Sequence, residues 1–203
     1  MKLACFVCGM IANNCYVLTA DDSKDAIVID PGAPSNKLEE YLFNNNLDVK
    51  YMILTHGHGD HTGGIDRIKD LYPESKLIAC KKEAKLLYDR HMSFGQGGIV
   101  ADINVVDNEE MDICGFHLRF IETPGHTPGG MCIYIKSEKL LFSGDTLFMC
   151  SIGRTDFPGG SYNDLIDSIK NKLFLLPDDT RVLCGHEMET MLGKEKQFNP
   201  FVS

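Results

Sequence analysis

Thr55-His56-Gly57-His58-Gly59-Asp60-His61 follows directly on the apolar run Tyr51-Met52-Ile53-Leu54. Between His56 and His61 the chain packs three imidazoles and a carboxylate into six residues. Gly57 and Gly59 let the backbone turn sharply, so alternate side chains can converge on one point. Imidazole suits zinc and iron, and a carboxylate beside it fits a hydrolytic dinuclear site better than a closed structural one. The run before it reads as a short strand buried on both faces, as in a sheet covered by helices. A ligand-bearing loop at the end of such a strand is the reading from which the rest follows.

Upstream, Leu3–Val7, Cys15–Thr19 and Ala26–Asp30 read as strands, with Pro31-Gly32 as a turn. A helix is predicted from Ser35, as N-cap, to Asn46, with Leu38, Leu42 and Phe43 on its buried face. Downstream, Thr62–Leu71 reads as a helix burying Ile65, Ile68 and Leu71, then come a strand at Lys76–Ala79 and a short helix at Lys82–Tyr88. Residues 90–104, with Ser93-Phe94-Gly95-Gln96-Gly97-Gly98, read as a loop, either a substrate-facing lid or a surface excursion. The second half is β-rich: Asp112–Gly115, His117–Glu122, Met131–Ile135 and Leu140–Ser143. A helix then starts at Ser161, where Ser161-Tyr162-Asn163-Asp164 resembles a capping box and Leu165, Ile166, Ile169 and Leu173 form the apolar stripe. Arg181–Cys184 is the last strand. No repeat or linker divides the chain, so residues 1–203 are expected to form a single domain. The element order suggests two similar halves packed face to face, an α/β fold in four layers, helix–sheet–sheet–helix.

Three later motifs each place one more ligand after a strand. Pro124-Gly125-His126-Thr127-Pro128-Gly129 holds His126 in a tight turn; Ser143-Gly144-Asp145-Thr146 and Cys184-Gly185-His186 put Asp145 and His186 at strand ends. A ligand projected from the end of a strand has its geometry held by a rigid sheet. With the opening cluster they make a set of seven candidate ligands.

This combination resembles the metallo-β-lactamase superfamily, in particular its glyoxalase II-like branch. The similarity extends from Asn14-Cys15-Tyr16 and Ile29-Asp30-Pro31-Gly32 to Asn199-Pro200-Phe201, and the T-H-x-H-x-D-H run carries most of it. The resemblance implies that His56, His58 and His126 hold one metal ion, that Asp60, His61 and His186 hold a second, and that Asp145 bridges them. It also implies the αββα sandwich expected from the element order. Two divalent metals, zinc by preference with iron or manganese as alternatives, lower the pKa of a shared water to near neutrality. A bridging hydroxide would then attack a carbonyl polarised by one metal, with no nucleophilic Ser or Cys and with Asp60 orienting the hydroxide. A thiolate leaves with little need of protonation, so small acyl thioesters suit such a centre.

Two departures bear on the substrate. Authentic glyoxalase II carries a C-terminal helical region that supplies much of its glutathione site, and only 17 residues follow His186 here. The family's Gly-His-Gly-Pro-x-Thr loop is replaced by Gly185-His186-Glu187-Met188-Glu189-Thr190, which adds bulk and negative charge beside the second metal group. The thiol half of the substrate is therefore left open. Gly153-Arg154-Thr155-Asp156-Phe157 resembles a motif shared by short glyoxalase II-like hydrolases and persulfide dioxygenases. Arg154 would either bind a substrate carboxylate or pair structurally with Asp156. The alternative function on this scaffold is a mononuclear iron persulfide dioxygenase using His56, His126 and Asp145; the presence of His186 favours the hydrolase. The Gly-Asp-Thr motif also differs from the cysteine ligand common in antibiotic-hydrolysing relatives.

The remaining features narrow the class. A formal net charge of -9 argues against a basic nucleic-acid-binding surface. There is no polybasic run, no apolar stretch of transmembrane length and no apolar leader after Met1. The expectation is a cytoplasmic monomer or homodimer acting on a small molecule, with no nucleic-acid or membrane partner. Its eight cysteines are scattered through strand-like runs and read as buried, reduced thiols. Cys5 and Cys8, though spaced C-x-x-C, lie in a predicted strand without the turn a redox or zinc pair needs. Asp30 is expected to support the metal region through turn hydrogen bonds, and His91 and His117 to lie outside the site.

Overall fold

The computed structural model describes residues 1–202. Its first half forms a six-stranded sheet in the order β1-β2-β3-β4-β5-β6. The strands are β1 (Lys2–Cys8), β2 (Asn13–Thr19), β3 (Asp25–Ile29), β4 (Asp48–Ile53), β5 (Lys76–Cys80) and β6 (Ile103–Val105). β1 to β3 pair antiparallel and β3 to β6 parallel. The parallel connections carry α1 (Asn36–Asn44), α2 (Gly59–Thr62), α3 (Ile65–Leu71), α4 (Ala84–Tyr88) and α5 (Arg90–Ser93). The second half contributes β7 (Glu110–Ile113), β8 (Phe116–Glu122), β9 (Met131–Ile135), β10 (Leu140–Gly144), a small hairpin of β11 (Leu147–Phe148) and β12 (Ser151–Ile152), and α6 (Tyr162–Asn171). After α6 come β13 (Arg181–Cys184), β14 (Thr190–Met191) and α7 (Leu192–Phe198). The second sheet runs β14-β13-β10-β9-β8-β7, with β10 and β13 parallel across the α6 connection.

Side-chain alternation makes the layers. In β2 and β3, Tyr16, Leu18, Ile27 and Ile29 face a central core with Phe120, Ile133, Phe142 and Leu183 of the opposite sheet. Their neighbours Cys15, Val17, Ala26 and Val28 face outward, onto Leu38 and Leu42 of α1 and Ile65 and Ile68 of α3. Likewise Met131, Ile133 and Ile135 of β9 point inward, whereas Cys132 and Tyr134 pack with Leu165 and Ile169 of α6. A strand buried on both faces must be apolar at consecutive positions, which is why these runs lack an alternating pattern. Three stacked cores between four layers are the αββα sandwich expected from the sequence.

Several expectations need correction. Phe43 and Leu71, expected inside, are 83% and 41% exposed. They line one outer groove together with Tyr72. The helix expected over Thr62–Leu71 is interrupted at Gly63-Gly64 into α2 and α3. Residues 90–104 are not all loop: they hold α5, capped by the Asp89 side chain, and the start of edge strand β6. The strand expected at Asp112–Gly115 ends at Ile113, because Cys114 and Gly115 both adopt positive φ, 49° and 84°, and make the two-residue hairpin turn into β8. Cys5 and Cys150 are exposed and Cys114 half-buried, while the other five cysteines are buried; all eight are free thiols. No helix among the described residues is long and apolar enough to cross a membrane.

Candidate metal centre

The seven candidate ligands come from four strand ends on the same edge of the sandwich. His56, His58, Asp60 and His61 follow β4; His126 follows β8; Asp145 follows β10; His186 follows β13. The parallel pairing of β10 with β13 puts Asp145 and His186 at the same end, and Gly185 N–H donates to Gly144 O at 2.9 Å. The sheets are joined at this edge by main-chain bonds. Met131 N–H donates to Thr55 O at 2.8 Å, and Asn14 N–H to Gly185 O at 2.7 Å. Gly144 has φ +49°, and a Cβ there would stand 2.3 Å from Thr55 Oγ1, so only glycine lets β10 approach the histidine loop this closely.

The structure brings these side chains into three overlapping groups, in each of which one ligand atom per residue lies within 4.8 Å of the others. The groups are His56, His58 and His126; His56, His61 and Asp145; and Asp60, His61 and His186. Asp145 stands between the outer two, with Oδ1 3.4 Å from His61 Nε2 and Oδ2 3.6 Å from His126 Nε2 and 3.7 Å from His186 Nε2. His58 Nδ1 approaches His126 Nε2 at 2.9 Å. Four of the five rings are held through their other nitrogen. His56 Nδ1 meets Thr55 Oγ1 at 3.1 Å, His61 Nδ1 meets Asp30 Oδ2 at 2.9 Å, His126 Nδ1 meets Arg154 O at 2.8 Å and His186 Nδ1 meets Ile11 O at 3.1 Å. Anchoring one nitrogen fixes the tautomer and aims the other, which is how metal-binding imidazoles are oriented.

Asp30 organises this shell as expected. It is buried in left-handed backbone, φ 51°, and its carboxylate accepts from Thr55 N–H at 2.8 Å and Thr55 Oγ1–H at 2.6 Å as well as meeting His61. Strain of that kind persists only where surrounding contacts enforce it. Asn13 Nδ2 adds bonds to Asp30 O at 3.2 Å and Asp60 O at 2.9 Å.

A cation suits the arrangement. His56 Nε2 and Asp145 Oδ1 are buried without any hydrogen-bond partner, an expensive state for polar atoms unless a ligand meets them. Burial and the surrounding imidazoles hold His56 well below the ordinary histidine range, and burial takes His58 to about 4. At His61 burial is outweighed by the carboxylates of Asp145 and Asp30, which raise the ring well above its ordinary value. At His186 burial is outweighed by the hydrogen bond that its ring donates to the Asp60 carboxylate, which raises it above the ordinary value. Asp145, despite burial, is drawn down to about 2 by His61 and the other imidazoles. The donor set of five imidazoles and two carboxylates is one that zinc, iron or manganese accepts.

A cavity of about 650 Å³ opens over the centre, lined among others by His58, Asp60, Phe94, Arg154, Phe157 and Glu187. A second, of about 280 Å³, meets it at Asp145, Arg154, His186 and Glu187 and is walled by Phe148, Ser151 and Ile152. Arg154 is bound bidentately by Asp156, at 2.8 Å twice, and its guanidinium carbon lies 3.8 Å from the Phe157 ring centre. The structural pairing with Asp156 is thus formed, while the Arg154 main chain orients His126. Phe94 and Phe157 stack with centroids 4.6 Å apart and both face His58. His91 and His117 lie on the surface, the latter beside Asp112 and Glu110. Tyr162 is exposed on α6 and Lys194 on α7. Sequence reasoning missed Phe157 as a cavity wall and Asn13 as a support. It also missed Glu83, a buried carboxylate bonded to two of the ligand loops.

The metallo-beta-lactamase superfamily profile matches residues 9–186. A probable metallo-hydrolase of Bacillus subtilis (strain 168), YqgX, is 36% identical over 203 residues, covering 96% of this chain and 94% of its own. The hydroxyacylglutathione hydrolase GloC of Haemophilus influenzae is 34% identical over 198 residues, covering 94% and 92%. The crystal structure of the BLEG-1 B3 metallo-beta-lactamase superimposes with a TM-score of 0.93 at 35% identity over 100% of both chains. With this fold, the family match over residues 9–186 and these relatives, the chain belongs to the metallo-beta-lactamase superfamily.

Proposed function

We propose that this protein is a dinuclear metal-dependent hydrolase of small acyl thioesters. The observation that carries the proposal is the convergence of all seven side chains at one edge of the sandwich, with buried candidate ligand atoms left without partners. His56, His58 and His126 would hold one divalent cation, Asp60, His61 and His186 the other, and Asp145 would touch both, with zinc as the expected metal. Bound there, the two cations supply Lewis acidity and a water acidic enough to ionise near neutral pH.

The chain's own groups do the rest. Asp60, partly exposed on the cavity floor and 3.1 Å from His186 Nε2, is placed to accept a hydrogen bond from the attacking water and to hold its orientation. Phe94 and Phe157 form an apolar wall that seats the substrate and limits bulk water over His58. Arg154 keeps its charge at the cavity margin, spread over Asp156 and the Phe157 face, where it can meet a polar group of the substrate. A thiolate leaving group needs no general acid, and among the described residues no unpaired lysine or arginine lines the cavity. The hydroxyacylglutathione hydrolase activity named for the Haemophilus influenzae relative is of this class. The enzyme so read works in the cytoplasm on a small molecule, as a monomer or homodimer, with residues 1–203 as one catalytic domain.

The test is metal quantitation combined with a panel of S-D-lactoylglutathione, neutral acyl thioesters, a β-lactam and a glutathione persulfide. Two metal equivalents with thioester hydrolysis are expected. A single iron with oxygen uptake on the persulfide, or turnover of the β-lactam alone, would replace this reading.

A further inference from the structure

Beneath the histidine loops lies a carboxylate that the proposed chemistry does not use. Glu83 ends the 3-10 turn Lys81–Glu83 that leads into α4, and it is 1% exposed. Its two oxygens are divided between two loops. Oε1 accepts the N–H of Gly57 at 3.0 Å, and Oε2 that of Gly129 at 2.7 Å. Gly57 stands between His56 and His58, and Gly129 closes the loop that carries His126. These loops leave different sheets, from β4 and β8, yet together they supply one complete group of three imidazoles.

A buried carboxylate is costly to keep, and among the described residues no cation pairs with it: the adjacent Lys82 turns to Glu122 instead. What the site needs is two acceptors in one plane, about as far apart as the oxygens of a single carboxylate. Glutamine would offer one acceptor and set an N–H against the second glycine's N–H. The contact is also close, since a Cβ on Gly129 would stand 2.4 Å from the Glu83 main-chain nitrogen. The loop is therefore pressed onto the turn that bears the carboxylate.

We infer that Glu83 is a positioning residue that clasps the His56–His58 loop to the His126 loop and prearranges those three imidazoles for a cation. The cation in that statement rests on the functional reading above; the clasp itself does not. Outer residues of this kind typically contribute about 10–100-fold to metal affinity.

Glu83→Ala and Glu83→Gln separate the possibilities, with Asn14→Ala as the opposite perturbation. Asn14 Nδ2 holds Cys184 O and Glu187 O, on either side of His186. Amide exchange at Gly57 and Gly129 is read in the metal-free protein. Zinc affinity is then read by chelator competition, with each group followed through the ring resonances of its own histidines. In Glu83→Ala both glycine amides should lose protection, and affinity at His56, His58 and His126 should fall by about 10–100-fold while Asp60, His61 and His186 keep theirs. Glu83→Gln should keep one protected glycine and an intermediate affinity, and it serves if the alanine variant does not fold. Asn14→Ala should show the reverse selectivity. Equal weakening of both groups in step with a lower Tm, or unchanged affinity of the three-histidine group, would overturn the inference. If the native protein takes up no zinc, the functional reading falls, and the prearrangement for a cation with it; the glycine amides would still decide whether the clasp exists.

Discussion

At the scale of single residues, the centre is two candidate ligand groups of unlike proton affinity with one carboxylate, Asp145, between them. His56 and His58 are held below their ordinary range and stay neutral into mildly acid solution, whereas His61 and His186 are raised and hold protons at higher pH. A raised ligand pKa means that protons compete with a cation at a higher pH. On acidification the Asp60–His61–His186 group should therefore release its metal first, seen as two separate steps in a metal-indicator titration; one concerted release would contradict this. His58→Ala and Asp145→Ala should abolish turnover and lower metal stoichiometry together. Their loss should exceed the roughly 10–100-fold expected of Asp30→Asn, which disturbs only the orientation of His61 and Thr55. Full activity in either ligand variant would sink the mechanism. Glu187 lines both cavities in left-handed backbone, φ 61°, and its carboxylate forms no ion pair among the described residues. Glu187→Gln should raise kcat/KM for anionic glutathione thioesters relative to neutral ones, measured as a ratio between the two substrates in each variant.

At the scale of elements, local chemistry was a good guide where one face was buried and a cap was explicit. Ser35 and Ser161 cap α1 and α6 as read, the latter accepting from Asp164 N–H at 3.3 Å. Ser161→Ala should cost about 1 kcal/mol, or roughly 2–4 °C in Tm for a chain of this size, with metal content unchanged in the purified protein. Gly144→Ala should behave otherwise, since its new Cβ would displace Thr55 from Asp30; metal and Tm should fall together. The misread positions have a common cause. Leu38 and Leu42, one turn apart, mark the buried line of α1, and Phe43 lies one position further round, beside Leu71 in an outer groove. Periodicity over a nine-residue helix does not set the edge of the stripe that closely. Strand β6 was missed because three residues at a sheet edge carry no pattern of their own; they are a strand only because β5 offers free main-chain groups.

At the scale of the whole molecule, ligands drawn from both sheets make the centre a tie between the two halves. Metal bound to the folded state alone should stabilise the protein by about 2.7 kcal/mol per site at a hundredfold excess over Kd. Chelation should therefore lower Tm, reversibly on adding zinc back, and a melting curve insensitive to chelator would show the centre to be empty or irrelevant to the fold. The primary structure by itself determined the layer order and singled out the seven candidate ligands. Both are written locally: ligands in short motifs at strand ends, and layers in the succession of doubly buried apolar runs and amphipathic helices. Only the tertiary structure decided what those residues do to one another. The place of Asp145 between two groups, the aromatic wall of Phe94 and Phe157, and the Glu83 clasp join positions up to 89 residues apart. Such contacts depend on which strand ends the sheet brings side by side, and a buried carboxylate such as Glu83 looks in sequence like any charged residue on a helix surface.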